Sequence, residues 1–131
     1  MRRMINPDSL SGPSPSFTQG VVTDAGKTLH MSGQVALDKD GSVIGDDITA
    51  QTQAALTNVS AMLDHEGLSP ENLVSIRVYI VDLTGKKVGA VMTELSNFYG
   101  DCDPAPTTIL GISALGLEGL LVEIECVAAF D

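Results

Sequence analysis

Tryptophan is absent from this 131-residue chain, and it contains only two tyrosines, three phenylalanines and two cysteines. Cys102 and Cys126 have no metal-like spacing, and one pair in a chain without a secretory signal is expected to stay reduced. No metal site or cofactor is therefore expected. Basic residues are scarce as well: seven Lys and Arg against seventeen Asp and Glu leave a formal charge of −10. Arg2, Arg3, Lys27, Lys39, Arg77, Lys86 and Lys87 form no basic cluster, so the surface repels phosphate backbones and electrostatics disfavours a nucleic-acid partner. Long apolar runs are missing too. Val78–Val81 and Leu120–Val122 are far too short to span a bilayer, and no apolar run follows Arg2 and Arg3. A cytoplasmic protein with no membrane partner is expected.

What the chain does have is apolar residues, at 44%, enough for one core in one domain covering residues 1–131. Residues 1–16 hold Pro7, Pro13 and Pro15 among Ser and Gly, and read as an irregular lead-in. The runs Phe17–Val22 and Thr28–Ala36 flank Asp24-Ala25-Gly26, which has turn chemistry, and so predict a hairpin. From Ile48 to Glu66 apolar positions recur at helical spacing, with Asp46 or Asp47 to cap the start and Gly67 to end it.

Val74, Ile76, Val78 and Ile80 then alternate with Ser75, Arg77, Tyr79 and Val81, the period of a strand with one face on a core, and Arg77 points away from that face. Val88, Val91, Met92, Leu95, Phe98 and Tyr99 predict a second helix between Thr84 and Gly100. Two strands, Thr107–Ile112 and Leu120–Ala128, close the chain. The order strand, strand, helix, strand, helix, strand, strand gives a two-layer α+β domain with both helices on one face of the sheet. In the last strand Glu123, Glu125 and Val127 make the opposite face mixed, and a partly apolar second face calls for a partner, most simply another copy of the chain.

Phe17-Thr18-Gln19-Gly20, Ser32-Gly33-Gln34, Val78-Tyr79-Ile80-Val81-Asp82-Leu83, Pro104-Ala105 and Val122-Glu123-Ile124-Glu125-Cys126-Val127-Ala128 together resemble the Rid (YjgF-like) family over nearly the whole chain. The resemblance implies a chorismate-mutase-like fold, a homotrimer, and clefts for a small molecule between subunits. It also implies imine or enamine deaminase chemistry. In the family's deaminases an arginine after Pro-Ala grips the carboxylate of a 2-imino acid, and a glutamate of the final strand orients the water that attacks the C=N carbon. A guanidinium fork suits a planar carboxylate, and a second carboxylate can take the proton from water.

By that likeness Glu123 is the catalytic carboxylate and Phe17, Gly33 and Met92 line the substrate site; Thr107 and Thr108, on the bent backbone after Pro106, are expected to bind substrate through their hydroxyls and amides. Two positions depart from the pattern. The arginine falls on Pro106, and an asparagine common in the second helix falls on Met92. The expected function is accordingly an atypical trimer with small-molecule clefts and weak or no 2-imino-acid deaminase activity. The alternative is an active deaminase, a hydrolase releasing ammonia, whose substrate is held without that arginine; action on RNA is a distant third.

Each residue also has a plainer reading. Glu123 and Glu125 suit solvent-facing strand positions, Thr107 and Thr108 suit β-branched strand positions, and a strand arginine such as Arg77 more commonly pairs with a neighbouring carboxylate than serves as a substitute anion binder. His30 and His65 show no Ser, Cys or carboxylate constellation and read as structural.

Overall fold

The structure, a computed structural model, describes residues 2–131. Its surest elements are the two helices. Helix α1 (Ile48–His65) starts at Asp47, whose Oδ1 accepts from the Ala50 amide at 2.7 Å, and it buries Ala55, Leu56, Val59 and Leu63. Helix α2 (Gly85–Tyr99) is capped by Thr84 and buries Val91, Leu95 and Tyr99, leaving Met92 half-buried at the edge of the stripe. Both helices lie on one face of a mixed sheet.

The strands of the chain are β1 (Arg2–Ile5), β2 (Gly20–Thr23), β3 (Lys27–His30), β4 (Gln34–Val35), β5 (Leu73–Val81), β6 (Thr107–Ile112) and β7 (Val122–Phe130). The main sheet runs β3-β7-β5-β6, with β4 pairing β7 beyond β3, and only β5 and β6 are parallel. The two-layer α+β architecture, and the element order from α1 onward, agree with the reading of the sequence.

Inward-facing Ile76, Val78 and Ile80 of β5 meet Val122, Ile124 and Cys126 of β7 in the core beneath the helices. Register then fixes the other, open face: Arg77 lies between Glu125 and Thr108, and Tyr79 between Glu123 and Leu110. A bulge between Leu73 and Ser75 moves the start of β5 out of simple alternation, so Leu73 is buried and Val74 is not.

The N-terminal third differs from the sequence reading in two respects. Residues 2–5 are a strand rather than part of an irregular lead-in, and they take the partner that the expected hairpin assigned elsewhere: β2 pairs antiparallel with β1, while β3 pairs with β7. Asp24-Ala25-Gly26 does join β2 to β3, yet the two strands belong to different sheets. Side chains hold β1 in place. The Arg2 guanidinium donates to the carbonyls of Leu73 (2.7 Å) and Asp103 (2.6 Å), and Asn6 Oδ1 accepts from the Thr18 hydroxyl and the Gln19 amide. The run Thr28–Ala36 is likewise not one strand, since it breaks at Met31–Gly33 between β3 and β4.

Gln51, fully buried on α1, closes the lower loops. Its amide donates to the carbonyls of Gly45 and Gly119 and its oxygen accepts from the Leu121 amide at 2.8 Å, which sets the entry into β7 two residues before Glu123.

Candidate functional site

Pro104-Ala105-Pro106 is held from three sides. The buried Tyr99 hydroxyl accepts from the Ala105 amide at 3.1 Å, the Ala105 carbonyl accepts from the Thr107 hydroxyl at 3.0 Å, and the Pro106 carbonyl accepts from the Ile76 amide at 2.9 Å. Burial pushes the Tyr99 phenol well above its ordinary pKa, so it remains a neutral partner for that amide. Thr18 bridges to Pro106 in parallel, which lays Phe17 alongside the start of β6. Pro106 itself offers no charge and no N–H, and its carbonyl is committed.

A cleft of about 230 Å³ opens at this edge, lined by Ser16, Phe17, Met92, Leu95, Thr107 and Ile109. It therefore gathers three of the residues expected to bind substrate, Phe17, Met92 and Thr107. Its walls are mainly apolar. A larger polar concavity of about 390 Å³ lies under Arg2, between Glu71, Asp103 and Asp131, but Arg2 is already engaged by two carbonyls there and none of the expected site residues lines it.

Gly33 and Glu123 meet elsewhere, at the β4 edge of the sheet. A Cβ on Gly33 would come within 2.7 Å of Glu123 Cγ, so the glycine leaves the room that the Glu123 side chain occupies. Glu123 pairs with Val35 of β4 on one side and Tyr79 of β5 on the other. Thr108, one residue from Thr107, points to the open face beside Arg77. The expected site residues thus fall into two groups, one at the β6 edge and one toward the β4 edge, where Glu123 on β7 lies two strand spacings from β6, or about 10 Å.

Three features went unnoticed in the sequence. Tyr79 donates its hydroxyl to Glu125 Oε1 at 2.7 Å, a diagonal contact that needs the register of β5 on β7. That bond to Glu125, with a smaller opposing pull from Arg77, raises the Tyr79 pKa above its ordinary value. Tyr99 reads as a core aromatic, and its bond to Ala105 becomes visible only once α2 is placed against the loop. Gln51 stands inside a helix as one polar residue among many, with no signal that it is buried. Of the two histidines, His30 ends β3 with its Nε2 3.2 Å from the Thr28 hydroxyl, and His65 ends α1. Among the described residues no group of three or more His, Cys, Asp or Glu is placed to hold a metal ion, and no helix is long and apolar enough to cross a membrane.

Comparison with known proteins settles the family. The family described as endoribonuclease L-PSP matches residues 10–130. The chain belongs to this family, the YjgF/Rid family. A solved Rid family protein of Yersinia pestis, described as of unknown function, superposes with a TM-score of 0.95 at 37% identity over 98% of both chains. A RutC family protein of Pyrococcus horikoshii is 29% identical over 98% of both chains. A 2-iminobutanoate/2-iminopropanoate deaminase of Salmonella typhimurium is 32% identical over 78 residues, 60% of this chain and 57% of the relative. The fold is accordingly the chorismate-mutase-like fold of this family.

Proposed function

We propose that this Rid family member works as a homotrimer whose clefts, formed between neighbouring subunits, hold a small and largely apolar molecule, and that it has weak or no deaminase activity on ordinary 2-imino acids. The second half of this reading is supported by Pro106, on which the resemblance lets the deaminases' arginine fall: it has no charge and no N–H, and its carbonyl is bonded to Ile76. Around it Phe17, Met92, Leu95 and Ile109 supply apolar walls. A coupled assay that generates 2-iminobutanoate with an amino-acid oxidase and traps the survivor with semicarbazide tests it. Rapid loss of the trapped product, abolished by Glu123→Ala, would sink the reading.

The division of the site supports the assembly. A heterologous contact that lays the β6 edge of one copy against the β4 edge of the next would bring Phe17, Met92 and Pro106 up to the partner's Gly33 and Glu123, and three such contacts can close a ring. The mixed open face, with Val127, Leu110 and Ile112 among its polar neighbours, would be covered in the process. Native mass spectrometry at micromolar concentration decides this, and a predominantly monomeric species counts against both trimer and cleft.

The alternative reading, hydrolysis of an imine or enamine with release of ammonia, draws on the Glu123 carboxylate over Gly33 and on the similarity to the Salmonella deaminase. RNA is a poorer candidate despite the family's description, because a charge of −10 without a basic cluster opposes a phosphate backbone.

A further inference from the structure

Residues 7–15 belong to neither sheet, yet they are tied to the segment that carries Phe17. The Ser14 amide donates to the Phe17 carbonyl at 3.1 Å and the Phe17 amide to the Ser14 carbonyl at 3.3 Å, so the chain doubles back just before the cleft. Gln19 Nε2 donates to the Ser11 carbonyl and fastens the other side of the same turn. Between these ties lies Gly12. A Cβ there would meet Phe17 Cζ at 2.8 Å and Cε2 at 2.9 Å, and the Gly12 φ of +92° is in the left-handed region that favours glycine. Gly12 is exposed and does not line the cleft, whereas Phe17 is half-buried and does. The ring therefore has the turn against its tip and the cleft beside it.

We infer that residues 10–14 form a strap that sets how far the Phe17 ring reaches into the cleft, and that Gly12 determines the length of ligand the cleft admits. This rests on the proposed cleft and names the part of the chain that fixes its dimensions. A methyl group at position 12 requires the ring tip to retreat from 2.8 Å to at least 3.4 Å, where ordinary contact begins. The backbone on either side of Phe17 is held, since the Ser16 amide donates to Ser14 Oγ and the Thr18 hydroxyl and Gln19 amide donate to Asn6 Oδ1. The ring is thus left to swing about its own side-chain torsions, and the open space next to it is the cleft. In a cleft of about 230 Å³, a displaced ring removes room that a long alkyl chain needs and a short one does not.

Three uncharged methyl ketones of growing length test this on the intact protein: butan-2-one, hexan-2-one and octan-2-one, followed by the NMR shift of the Met92 methyl group. Gly12→Ala is expected to weaken octan-2-one about 10-fold or more and butan-2-one by no more than about 2-fold, since room for a methylene or two is what is lost. Gly41→Ala separates backbone strain from contact, because Gly41 has a φ of +81° and nothing within 4 Å of an added Cβ. It should leave all three affinities unchanged. Phe17→Leu removes the ring tip, so it should favour octan-2-one and leave a further Gly12→Ala without effect on the length preference. An equal loss for all three ketones, or the same Gly12→Ala effect with and without Phe17→Leu, overturns the role of the strap while leaving the cleft standing. Should Gly12→Ala fail to fold, Phe17→Leu alone decides, and an unchanged length preference overturns the inference. If none of the ketones shifts Met92 in the unaltered protein, the cleft and this inference fall together.

Discussion

Gly33 and Glu123 share one space: a Cβ on the glycine would come within 2.7 Å of the glutamate's Cγ. The backbone of Gly33 is not in the left-handed region, so its lack of a side chain answers a packing demand rather than a conformational one. Gly33→Leu is expected to displace the Glu123 carboxylate and abolish ligand binding. The strain should stay within about 1–3 kcal/mol because the site lies at a sheet edge. Calorimetric titration with thermal unfolding checks both parts, and full binding by a folded variant would separate Gly33 from the site.

Loss of a desolvated charge partner costs on the order of 2–5 kcal/mol. If Pro106 takes the place of that arginine, as the proposed function has it, kcat/KM for 2-iminobutanoate should fall about 30- to several-thousand-fold below an arginine-bearing relative. Pro106→Arg is expected to recover part of that deficit in the semicarbazide competition assay. No gain from this change, in a variant that still folds and assembles, would mean that the proline is not what limits turnover.

Tyr99→Phe removes the hydroxyl on which the Ala105 amide depends inside the core. A buried donor left unsatisfied costs about 1–3 kcal/mol, and for a domain of this size the unfolding temperature should drop by roughly 3 to 15 °C. Scanning calorimetry measures it. The same variant should weaken ligand binding at the β6 edge, because the Pro104–Thr107 segment loses one of its three supports.

The Tyr79 phenol should ionise at higher pH than an ordinary tyrosine, chiefly because its protonated form donates to Glu125. A phenol whose pKa is raised on folding contributes stability below its unfolded value, and loses that contribution as pH rises through the folded value. Phenolate absorbance in a Tyr99→Phe background is expected to titrate above pH 10, the usual tyrosine range, and Glu125→Gln to bring the transition down. An unchanged midpoint in Glu125→Gln would show that the bond does not persist in solution.

Much of this architecture is legible in the residues themselves. The apolar spacings of 48–66 and 88–99, bounded by Asp47, Thr84 and Gly100, specify two helices before any partner is known. The alternation through Ile76–Val81 specifies a half-buried strand. The pairing of β1 with β2 is not legible, because Arg2–Ile5 precedes a stretch rich in Pro, Ser and Gly and is anchored by Arg2 and Asn6 to residues distant in sequence. The site divides in the same way. Residue types mark Glu123, Gly33 and Pro106, but their placement at opposite edges follows from strand order, which no local pattern encodes. The partition of Thr107 and Thr108 between two faces awaits the start of β6.

The position of β7 has a consequence for how the protein is made. This strand follows every element it packs with in sequence, yet it lies inside the sheet, pairing with β3, β4 and β5. While a ribosome is still extending the chain through residue 121, the core under α1 and α2 lacks Val122, Ile124 and Cys126, and β5 lacks its partner on that side. The sheet can close only after β7 has been made, so until then the nascent chain carries exposed apolar surface, a stage at which aggregation competes with folding.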